Sequence, residues 1–444
     1  MEIEAWLARA AALAPERSAV ETPEGAWSYA ELLSGAEAGT QQLVALGAAP
    51  GGEVAIALPP GLAFAQALHS CLLLGAVAVP VDLRLAAEER ARIESGARVV
   101  VREPLERIPS GEMATTIHDL DATALIVHTS GTTAAPRPVR LTYGNLLWSA
   151  LGSGVALGVD PKERWLCALP LSHVGGLSIL MRSAIYATTA IVHERFETDQ
   201  VLAALRDEEV TLVSLVATTL ARLLDAGLEN PPALRCALTG GGPVPGALVT
   251  RANEAGVPVS LTYGLTETCS QVTTTPIYEI REAAGGEAPS AGPALFCTRV
   301  RIAGDGEILV SGPTVAPSAE LSDGWLATGD LGALDDRGRL RVLGRKADTI
   351  VSGGENVAPA EVEAVLEAHP DVLEAAVLGR EDEQWGEAVA AIVVARTGRQ
   401  IEEGTLREHC AGALAGYKIP KSFRITGERL PRTASGKLLR RDLV

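Results

Sequence analysis

Residues 124–137 read ALIVHTSGTTAAPR, a short apolar run that passes directly into a loop of hydroxyl side chains. An uninterrupted apolar run of this length is typical of a strand buried on both faces of a parallel sheet. The loop Thr129–Arg137 combines four hydroxyls, one glycine and an arginine, groups that can hold phosphate oxygens. It lacks the GxxxxGKS or GxxxxGKT pattern of a Walker loop. Taken alone, an ordinary polar turn is the commoner explanation.

The segments on either side of this loop alternate between short β-rich runs and helical stretches. Residues 53–82 contain a strand, a helix that Gly75 ends and a second strand, and the alternation continues to the TYGLTE run at 262–267. This pattern predicts a parallel α/β sheet. From about residue 298 the sequence changes to two hairpins with DG and RG turns, 299–313 and 331–345. Smaller α+β elements follow.

We therefore expect an α/β protein in two parts. Residues 1–344 are predicted to form a large N-terminal domain of parallel and mixed sheets with helices, plus a β-rich subdomain. Residues 345–444 are predicted to form a small, mobile α+β C-terminal domain. At the N-terminus, an amphipathic helix is predicted to place four apolar residues on one side: Ile3, Leu7, Ala10 and Leu13.

Composition excludes several classes of function. The 444 residues carry a net charge of −17 with no block of Lys or Arg, which argues against nucleic acid and anionic membranes as partners. A local site can still bind an anion such as ATP. The six cysteines form no CxxC pair, so buried free thiols are expected rather than zinc or disulfides. Without a basic leader or a spanning apolar run, the protein is expected to be cytoplasmic. Assembly into a homo-oligomer remains open.

Four further polar stretches could carry chemistry, although each has a plain structural explanation. The Tyr263–Thr268 stretch offers one carboxylate between hydroxyls, which suits Mg²⁺, or it is a solvated loop. Thr328–Asp330 could bind a ribose diol, or form an Asx-type turn. The glycine-rich Gly344–Asn356 segment could be a charged joint or an ordinary linker. Pro431–Lys437 could present a mobile lysine, or fray as chain ends commonly do.

The order of these motifs is more specific than any one of them. The runs TSGTT, YGLTET, TGD, GRKAD with SGGEN, and PRTASGK span residues 129–437, and WSYAEL and GAVAVPVD precede them. In this order they resemble the adenylate-forming superfamily of acyl-CoA synthetases, firefly luciferases and peptide-synthetase adenylation domains. The resemblance covers nearly the whole chain.

The resemblance implies a role for each matched residue. Contacts to the phosphates of ATP would come from Thr129, Ser130, Gly131, Thr132, Thr133 and Arg137. The adenine and acyl pocket would be lined by Gly240, Gly241, Gly242, Pro243, Tyr263 and Gly264. Asp330 and Arg345 would hold the ribose. The coenzyme A thiol tunnel would be lined by Ser352, Gly353 and Gly354. The catalytic residues would be Thr266 at the α-phosphate, Glu267 on Mg²⁺, His173 in the acyl channel, and Lys437 between carboxylate and α-phosphate.

The implied chemistry has two steps. A carboxylate attacks the α-phosphorus of ATP and releases pyrophosphate, and Lys437 and Mg²⁺ offset the negative charge. Coenzyme A thiolate then attacks the acyl carbon and releases AMP. Between the steps the family rotates its C-terminal domain. This sequence departs from the usual pattern at Ala134, Arg137, Pro138 and the hinge residue Ala347, and its 306–330 stretch is short.

Several stretches resemble one subfamily, the 2-succinylbenzoate–CoA ligases of menaquinone biosynthesis: residues 169–186, 234–249, 262–272 and 352–372. Such a substrate keeps a second carboxylate, for which Arg182 and Thr273–Thr275 are candidate partners. Another aryl- or medium-chain acyl-CoA synthetase remains an alternative, as does a peptide-synthetase adenylation domain. A non-catalytic nucleotide-binding module is an alternative of a different class.

Overall fold

The computed structural model of the chain describes residues 1–106, 117–129, 137–280, 289–319, 323–382, 385–432 and 438–443. Within this part, the strands are β1 Glu2–Glu4, β2 Ser18–Thr22, β3 Gly25–Ser28, β4 Glu53–Ile56, β5 Val77–Pro80, β6 Val99–Val101, β7 Ile117–Asp119, β8 Thr123–Thr129, β9 Arg137–Thr142, β10 Arg164–Cys167, β11 Thr189–Val192, β12 Leu212–Leu215, β13 Cys236–Thr239, β14 Val259–Leu265, β15 Ser270–Thr274, β16 Arg299–Ile302, β17 Glu307–Ser311, β18 Leu326–Leu334, β19 Leu340–Arg345, β20 Ile350–Ser352, β21 Glu355–Val357, β22 Val372–Asp382, β23 Gly386–Ala395 and β24 Ser422–Thr426. The α-helices are α1 Trp6–Leu13, α2 Tyr29–Ala45, α3 Leu62–Leu74, α4 Ala87–Glu94, α5 Tyr143–Leu157, α6 Val174–Tyr186, α7 Thr198–Asp207, α8 Ala217–Asp225, α9 Gly246–Glu254, α10 Pro359–Glu367 and α11 Glu403–Ala411.

Two largely parallel sheets dominate the N-terminal part. One has the strand order β15-β14-β13-β12-β10-β11-β2-β3 and the other β6-β4-β5-β8-β9. In both, the antiparallel pairings lie at the edges: β14 with β15, β2 with β3, and β8 with β9. This arrangement confirms the α/β expectation. Ligand sites in such sheets form beyond the carboxyl ends of the parallel strands, where β8, β13 and β14 lead into the hydroxyl, glycine and YGLTET runs.

Helices cover both faces of these sheets. Neighbouring residues of one strand enter different hydrophobic clusters: Trp165 joins the cluster of α1, α2, α3, α5 and α6, whereas Leu166 joins that of α7, α8 and α9. Side chains alternate across a strand, so a strand covered on both faces must be apolar throughout. That is why the strands appear in the sequence as continuous apolar runs.

Two smaller sheets follow. Strands β16-β17-β18-β19 form an antiparallel sheet, which confirms the two predicted hairpins. Strands β20 to β24 form a separate five-stranded sheet packed with α10 and α11 around its own hydrophobic cluster. Within the described part of the chain, no helix combines the length and apolar character that a bilayer crossing requires. Five cysteines are buried and Cys297 is half-buried, all as free thiols.

The N-terminal helix prediction was wrong in its first turn. Ile3 lies in β1, which pairs antiparallel with β7, and the helix begins only at Trp6. Leu13 is exposed, whereas Leu7 and Ala10 are buried. The backbone of residues 2–4 finds its hydrogen-bond partners in a distant strand, which a local periodicity cannot reveal.

Two buried imidazoles make stability depend on pH. Burial, with a small contribution from repulsion by His118, lowers the pKa of His69 to about 4, and burial lowers that of His118 to about 4, against 6.5 ordinarily. Between these values the unfolded chain binds more protons, so this stability is full above pH 6.5 and is lost as pH falls towards 4. His118 stacks on Tyr143, and we expect His118→Phe to remove about 1–3 kcal/mol of this pH dependence. Urea unfolding at pH 5 and pH 7.5 measures it, and an unchanged difference between the two would contradict this account.

Candidate active site

The hydroxyl-rich loop begins and ends on a hairpin. Thr129 and Arg137 are paired residues of β8 and β9, and the Thr129 hydroxyl donates to the Arg137 carbonyl at 3.3 Å. Ser130, Gly131, Thr132 and Thr133 lie outside the described residues. Strand β9 runs beside the short 3₁₀ turn Thr266–Thr268. The strand that follows the hydroxyl-rich loop and the YGLTET run therefore lie next to each other, although they are more than 120 residues apart in the sequence.

The Thr266–Thr268 turn is followed by two residues with an unusual backbone conformation. Cys269 and Ser270, which follow it, have φ of +53° and +94°, values that cost free energy in residues other than glycine. A Cβ at Gly264 would overlap the Ser270 carbonyl oxygen, so the close hairpin requires glycine there. The Ala316 N–H donates to the Glu267 carbonyl at 2.8 Å. Together these contacts fix the backbone position from which the Glu267 side chain extends.

Glu267 is half-buried, and no hydrogen bond or ion pair from the described residues reaches its carboxylate. No group of three or more His, Cys, Asp or Glu side chains suited to a metal occurs in those residues. A lone carboxylate of this kind fits Mg²⁺, which keeps most of its waters and takes other ligands from substrate phosphates.

Tyr263, Asp330 and Arg345 form the best-defined polar cluster. The Tyr263 hydroxyl donates to Asp330 Oδ2 at 2.7 Å, and Arg345 Nε lies 2.9 Å from Asp330 Oδ1. Asp330 is 6% exposed. Burial, followed by repulsion from Asp330, raises the pKa of Tyr263, so the phenol remains a donor. Asp330 and Arg345 are directly paired residues of β18 and β19. A carboxylate held in this way can accept hydrogen bonds from a diol.

The glycine run Gly240–Pro243 follows β13 and lies beside β14. A Cβ at Gly240 would approach the Thr262 carbonyl oxygen to 2.7 Å, and Gly241 has φ of +79°. Gly241, Gly242 and Pro243 are exposed. Backbone without side chains at the carboxyl end of a parallel strand leaves room for a flat ligand.

His173 lies at the N-cap position of α6 and is 34% exposed. Its Nε2 is 3.4 Å from the Arg84 guanidinium and 3.6 Å from Asp82 Oδ2. Burial opposes ionisation of Asp82, but hydrogen bonds from Arg84 hold the pKa of that carboxyl below its ordinary value. The sequence predictions did not include Asp82 or Arg84. The one available signal was that Asp82 follows a buried strand.

The SGGEN turn is packed against a tryptophan. Gly353 N–H donates to the Trp385 carbonyl at 2.8 Å, and a Cβ on Gly353 would contact the Trp385 ring. Gly353 and Gly354 have φ of +61° and +86°, and Ser352 is buried. Lys437 lies outside the described residues. The chain on either side of it is paired through Arg432 and Leu438.

Arg182 is a buried cation in α6. It is 2% exposed, its guanidinium lies 3.4 Å from the Ser149 hydroxyl, and its carbon Cζ lies 5.4 Å from the Trp165 ring centroid. Its Nε has no hydrogen-bond partner among the described residues, and burial lowers the pKa of the side chain. The same Ser149 hydroxyl donates to the Cys269 carbonyl at 2.6 Å, directly below the Glu267 turn. An arginine to which the described residues offer no carboxylate is therefore linked through Ser149 to the segment that follows the Glu267 turn.

The described residues thus bring together a buried carboxylate that can accept hydrogen bonds from a diol, a single carboxylate suited to Mg²⁺, and the strand that follows the hydroxyl-rich loop. The sequence profile of AMP-binding enzymes matches residues 7–318, and that of the AMP-binding enzyme C-terminal domain matches residues 361–437. The chain belongs to the AMP-binding enzyme family.

Two relatives match over their full length. The 2-succinylbenzoate–CoA ligase of Bacillus subtilis (strain 168) is 40% identical over 477 residues, covering 99% of this chain and 97% of the relative. The ligase of the same name from Bacillus licheniformis is 38% identical over 479 residues, covering 99% and 98%.

Solved structures agree with these matches. o-Succinylbenzoate CoA synthetase (MenE) from Bacillus subtilis, in complex with the acyl-adenylate intermediate OSB-AMP, superposes with a TM-score of 0.89 at 39% identity, covering 100% of this chain and 98% of that one. The same enzyme with ATP and magnesium ion gives 0.89 at 39% identity, covering 100% of both chains. ATP-bound MatB from Rhodopseudomonas palustris gives 0.87 at 27% identity, covering 99% and 98%.

Proposed function

We propose that this protein is an ATP-dependent, AMP-forming acid–thiol ligase that converts 2-succinylbenzoate to 2-succinylbenzoyl-CoA, the reaction that its menaquinone-pathway relatives are named for. The observation that carries the chemistry is the Asp330 carboxylate, buried between the Tyr263 hydroxyl and Arg345 beside the Glu267 turn. The full-length matches support the choice of acid. ATP, Mg²⁺ and coenzyme A are the small molecules that this function requires, and the cytoplasm is the compartment that supplies them.

Each half-reaction uses a different part of the site. Asp330 and Arg345 hold the ribose, the glycine run Gly240–Pro243 and Tyr263 border the adenine, and Thr266 contacts the α-phosphate. The acid oxygen then bonds to the α-phosphorus, the bond to pyrophosphate breaks, and Lys437 offsets the charge at the new bond. In the second step the thiolate bonds to the acyl carbon and AMP leaves with the electron pair. His173 borders the acyl channel, and the turn Ser352–Gly354 lines the thiol tunnel.

Glu267 is proposed to hold Mg²⁺, which supplies charge neutralisation for the leaving pyrophosphate. We expect Glu267→Gln to raise the Mg²⁺ concentration for half-maximal turnover by about 10-fold or more, the scale seen when groups around a bound metal are changed. A Mg²⁺ titration of acyl-CoA formation at saturating ATP measures this. Glu279→Gln, in the half-buried 3₁₀ turn Ile277–Glu279, is the control and should titrate like the parent protein. An unchanged titration for Glu267→Gln would contradict the assignment.

The second carboxylate of the substrate is proposed to be compensated by Arg182. Desolvating an unpaired carboxylate is costly, and Arg182 is a buried cation to which the described residues offer no carboxylate partner. Each charge offsets the cost of burying the other. Arg182 lies on the same helix that His173 begins, which supports a position along the acyl channel.

We also propose that the chain divides at Gly344–Arg345, and that the part of it beyond Ala347 rotates between the two steps. A separate hydrophobic cluster for β20 to β24 and the interval between the two matched profiles support this division. Arg345 and Lys346 form ion pairs with Asp330 and Glu307 of the N-terminal part. Ala347 follows them directly, so we propose it as the residue about which the C-terminal part rotates.

A panel of carboxylic acids tests the substrate assignment. Purified protein is incubated with ATP, Mg²⁺, coenzyme A and one acid at a time, and acyl-CoA is quantified by chromatography. We expect kcat/KM for 2-succinylbenzoate to exceed that for benzoate, hexanoate and malonate by at least about 100-fold, the scale of one well-compensated charge. Preference for a monoacid would remove the 2-succinylbenzoate assignment and leave an aryl- or medium-chain acyl-CoA synthetase.

A further inference from the structure

The sheet next to the nucleotide site contains an irregularity that the proposed chemistry does not explain. Strands β17 and β18 pair through Glu307 with Leu331 and Leu309 with Ala327. Three residues of β18, Thr328–Asp330, therefore face the single residue Ile308. Gly329 takes φ of +71° in this bulge. Regular ladder bonds cannot form there, so the N–H of Gly329 needs another acceptor.

The Glu307 side chain supplies that acceptor. Its Oε1 accepts the Gly329 N–H at 2.9 Å, while Oε2 lies 2.9 Å from Lys346 Nζ. The Glu307 side chain is 13% exposed, and Lys346 also contacts Asp305 at 2.6 Å. The Thr328 hydroxyl donates to the Ile308 carbonyl at 2.8 Å and accepts the Asp330 N–H at 3.1 Å. The N–H groups of Gly329 and Asp330 are thus each bonded to a side chain, and Glu307 holds the apex of the bulge.

We propose that Glu307 is a positioning residue for nucleotide binding. It holds the Gly329 apex so that Asp330 meets Tyr263 and Arg345. The ion pair with Lys346 fixes the orientation of the Glu307 carboxylate. This inference rests on the proposed role of Asp330 in ribose binding. Glu307 contacts no substrate in this scheme. It acts through the backbone of the residue that precedes Asp330, and Lys346 acts through Glu307.

The proposal predicts how strongly each variant of Glu307 and Lys346 should bind nucleotide. Glu307→Ala removes the acceptor and lets the apex move, whereas in Glu307→Gln the amide oxygen still accepts the Gly329 N–H. Lys346→Met leaves the hydrogen bond in place but frees the carboxylate to rotate. Because Lys346 acts through Glu307, the double variant Glu307→Ala with Lys346→Met should bind nucleotide no more weakly than Glu307→Ala alone.

AMP binding by isothermal titration calorimetry provides the test, since it needs no catalysis. We expect Glu307→Ala to weaken AMP affinity roughly 10-fold or more, as for loss of a hydrogen bond to a charged group, and Glu307→Gln to stay within about threefold of the parent protein. In the adenylation assay, Glu307→Ala should raise the KM for ATP and leave kcat largely unchanged. A purely structural role would instead lower the fraction of active protein with no change in affinity.

Asp335 gives a matched control in the same sheet. Its carboxylate also accepts backbone N–H groups, from Arg337 and Arg339, and pairs with the Arg339 guanidinium, but at the far end of the β18–β19 hairpin. Asp335→Ala should lower the melting temperature and leave AMP affinity unchanged. Equal AMP affinity for Glu307→Ala and Asp335→Ala, or a Glu307→Gln variant as weak as Glu307→Ala, would overturn the proposal. A parent protein that binds AMP but forms no acyl-adenylate would refute the proposed function and leave the role of Glu307 intact.

Discussion

Lys437→Ala is expected to abolish acyl-adenylate formation while leaving thioester formation from supplied acyl-adenylate largely intact. Adenylation joins two anions, and an ammonium group at the new bond is the largest stabilising element available from the protein. Its removal should slow adenylation by roughly 10²–10³-fold or more, the range found when one preorganised donor is deleted. Once the adenylate exists, that charge is no longer required at the reacting carbon. The two half-reactions are measured separately, by pyrophosphate release and by acyl-CoA formation from synthetic adenylate.

Lys418 provides the control for this variant. It lies in the same C-terminal segment and forms an ion pair with Glu361 at 2.6 Å, so Lys418→Ala removes a lysine of that segment from outside the proposed site. Both half-reactions should then proceed at the parent rates. Equal loss of both half-reactions in Lys437→Ala would remove Lys437 from the adenylation step.

Arg182→Met is expected to change stability and substrate use in opposite directions. Without substrate, the buried guanidinium has no compensating carboxylate among the described residues, so an apolar side chain of similar length should be neutral or stabilising by about 1 kcal/mol. With 2-succinylbenzoate, the variant leaves the second carboxylate uncompensated. Its kcat/KM should fall roughly 30–1000-fold, corresponding to about 2–4 kcal/mol.

A substrate analogue and a second arginine make this result specific. The analogue is 2-butyrylbenzoate or 4-oxo-4-phenylbutanoate, whichever keeps the carboxylate that reacts and lacks the other, and Arg182→Met should use it about as well as the parent protein does. Arg164 is paired with Glu21 at 2.8 Å, and Arg164→Met should destabilise the fold without changing the preference between the two acids. Thermal unfolding and kcat/KM for both acids measure these effects. If Arg182→Met keeps the parent preference, the second carboxylate lies elsewhere.

The sequence predicted the architecture well because the strands are covered on both faces. Trp165 and Leu166 point to opposite helical layers, so the strand is apolar throughout and stands out locally. The DG and RG hairpins could also be predicted, because the residues that favour a tight turn are adjacent in the sequence. The start of α1 could not be predicted, because β1 pairs with a strand more than 110 residues away.

For the site, the sequence predicted candidate residues but could not predict their contacts. Asp330 was visible as part of TGD, whereas its bonds to Tyr263 and Arg345 depend on strand pairing across two sheets. The Asp82–Arg84 pair beside His173 and the Glu307 carboxylate beneath Gly329 were missed. Both act through tertiary contacts: Asp82 ends the GAVAVPVD run, but nothing local shows that it lies beside His173, and Glu307 lies outside the quoted motifs. A buried carboxylate next to a β-bulge is recognisable only once the register is known.

The most direct test of the central claim is exchange of labelled pyrophosphate into ATP, measured without coenzyme A. The account predicts exchange that depends on both Mg²⁺ and 2-succinylbenzoate and that disappears in Lys437→Ala. Exchange reports the reversible formation of an acyl-adenylate and nothing later in the reaction. Purified, folded protein that binds ATP yet exchanges no label with 2-succinylbenzoate or any other acid of the panel would contradict it.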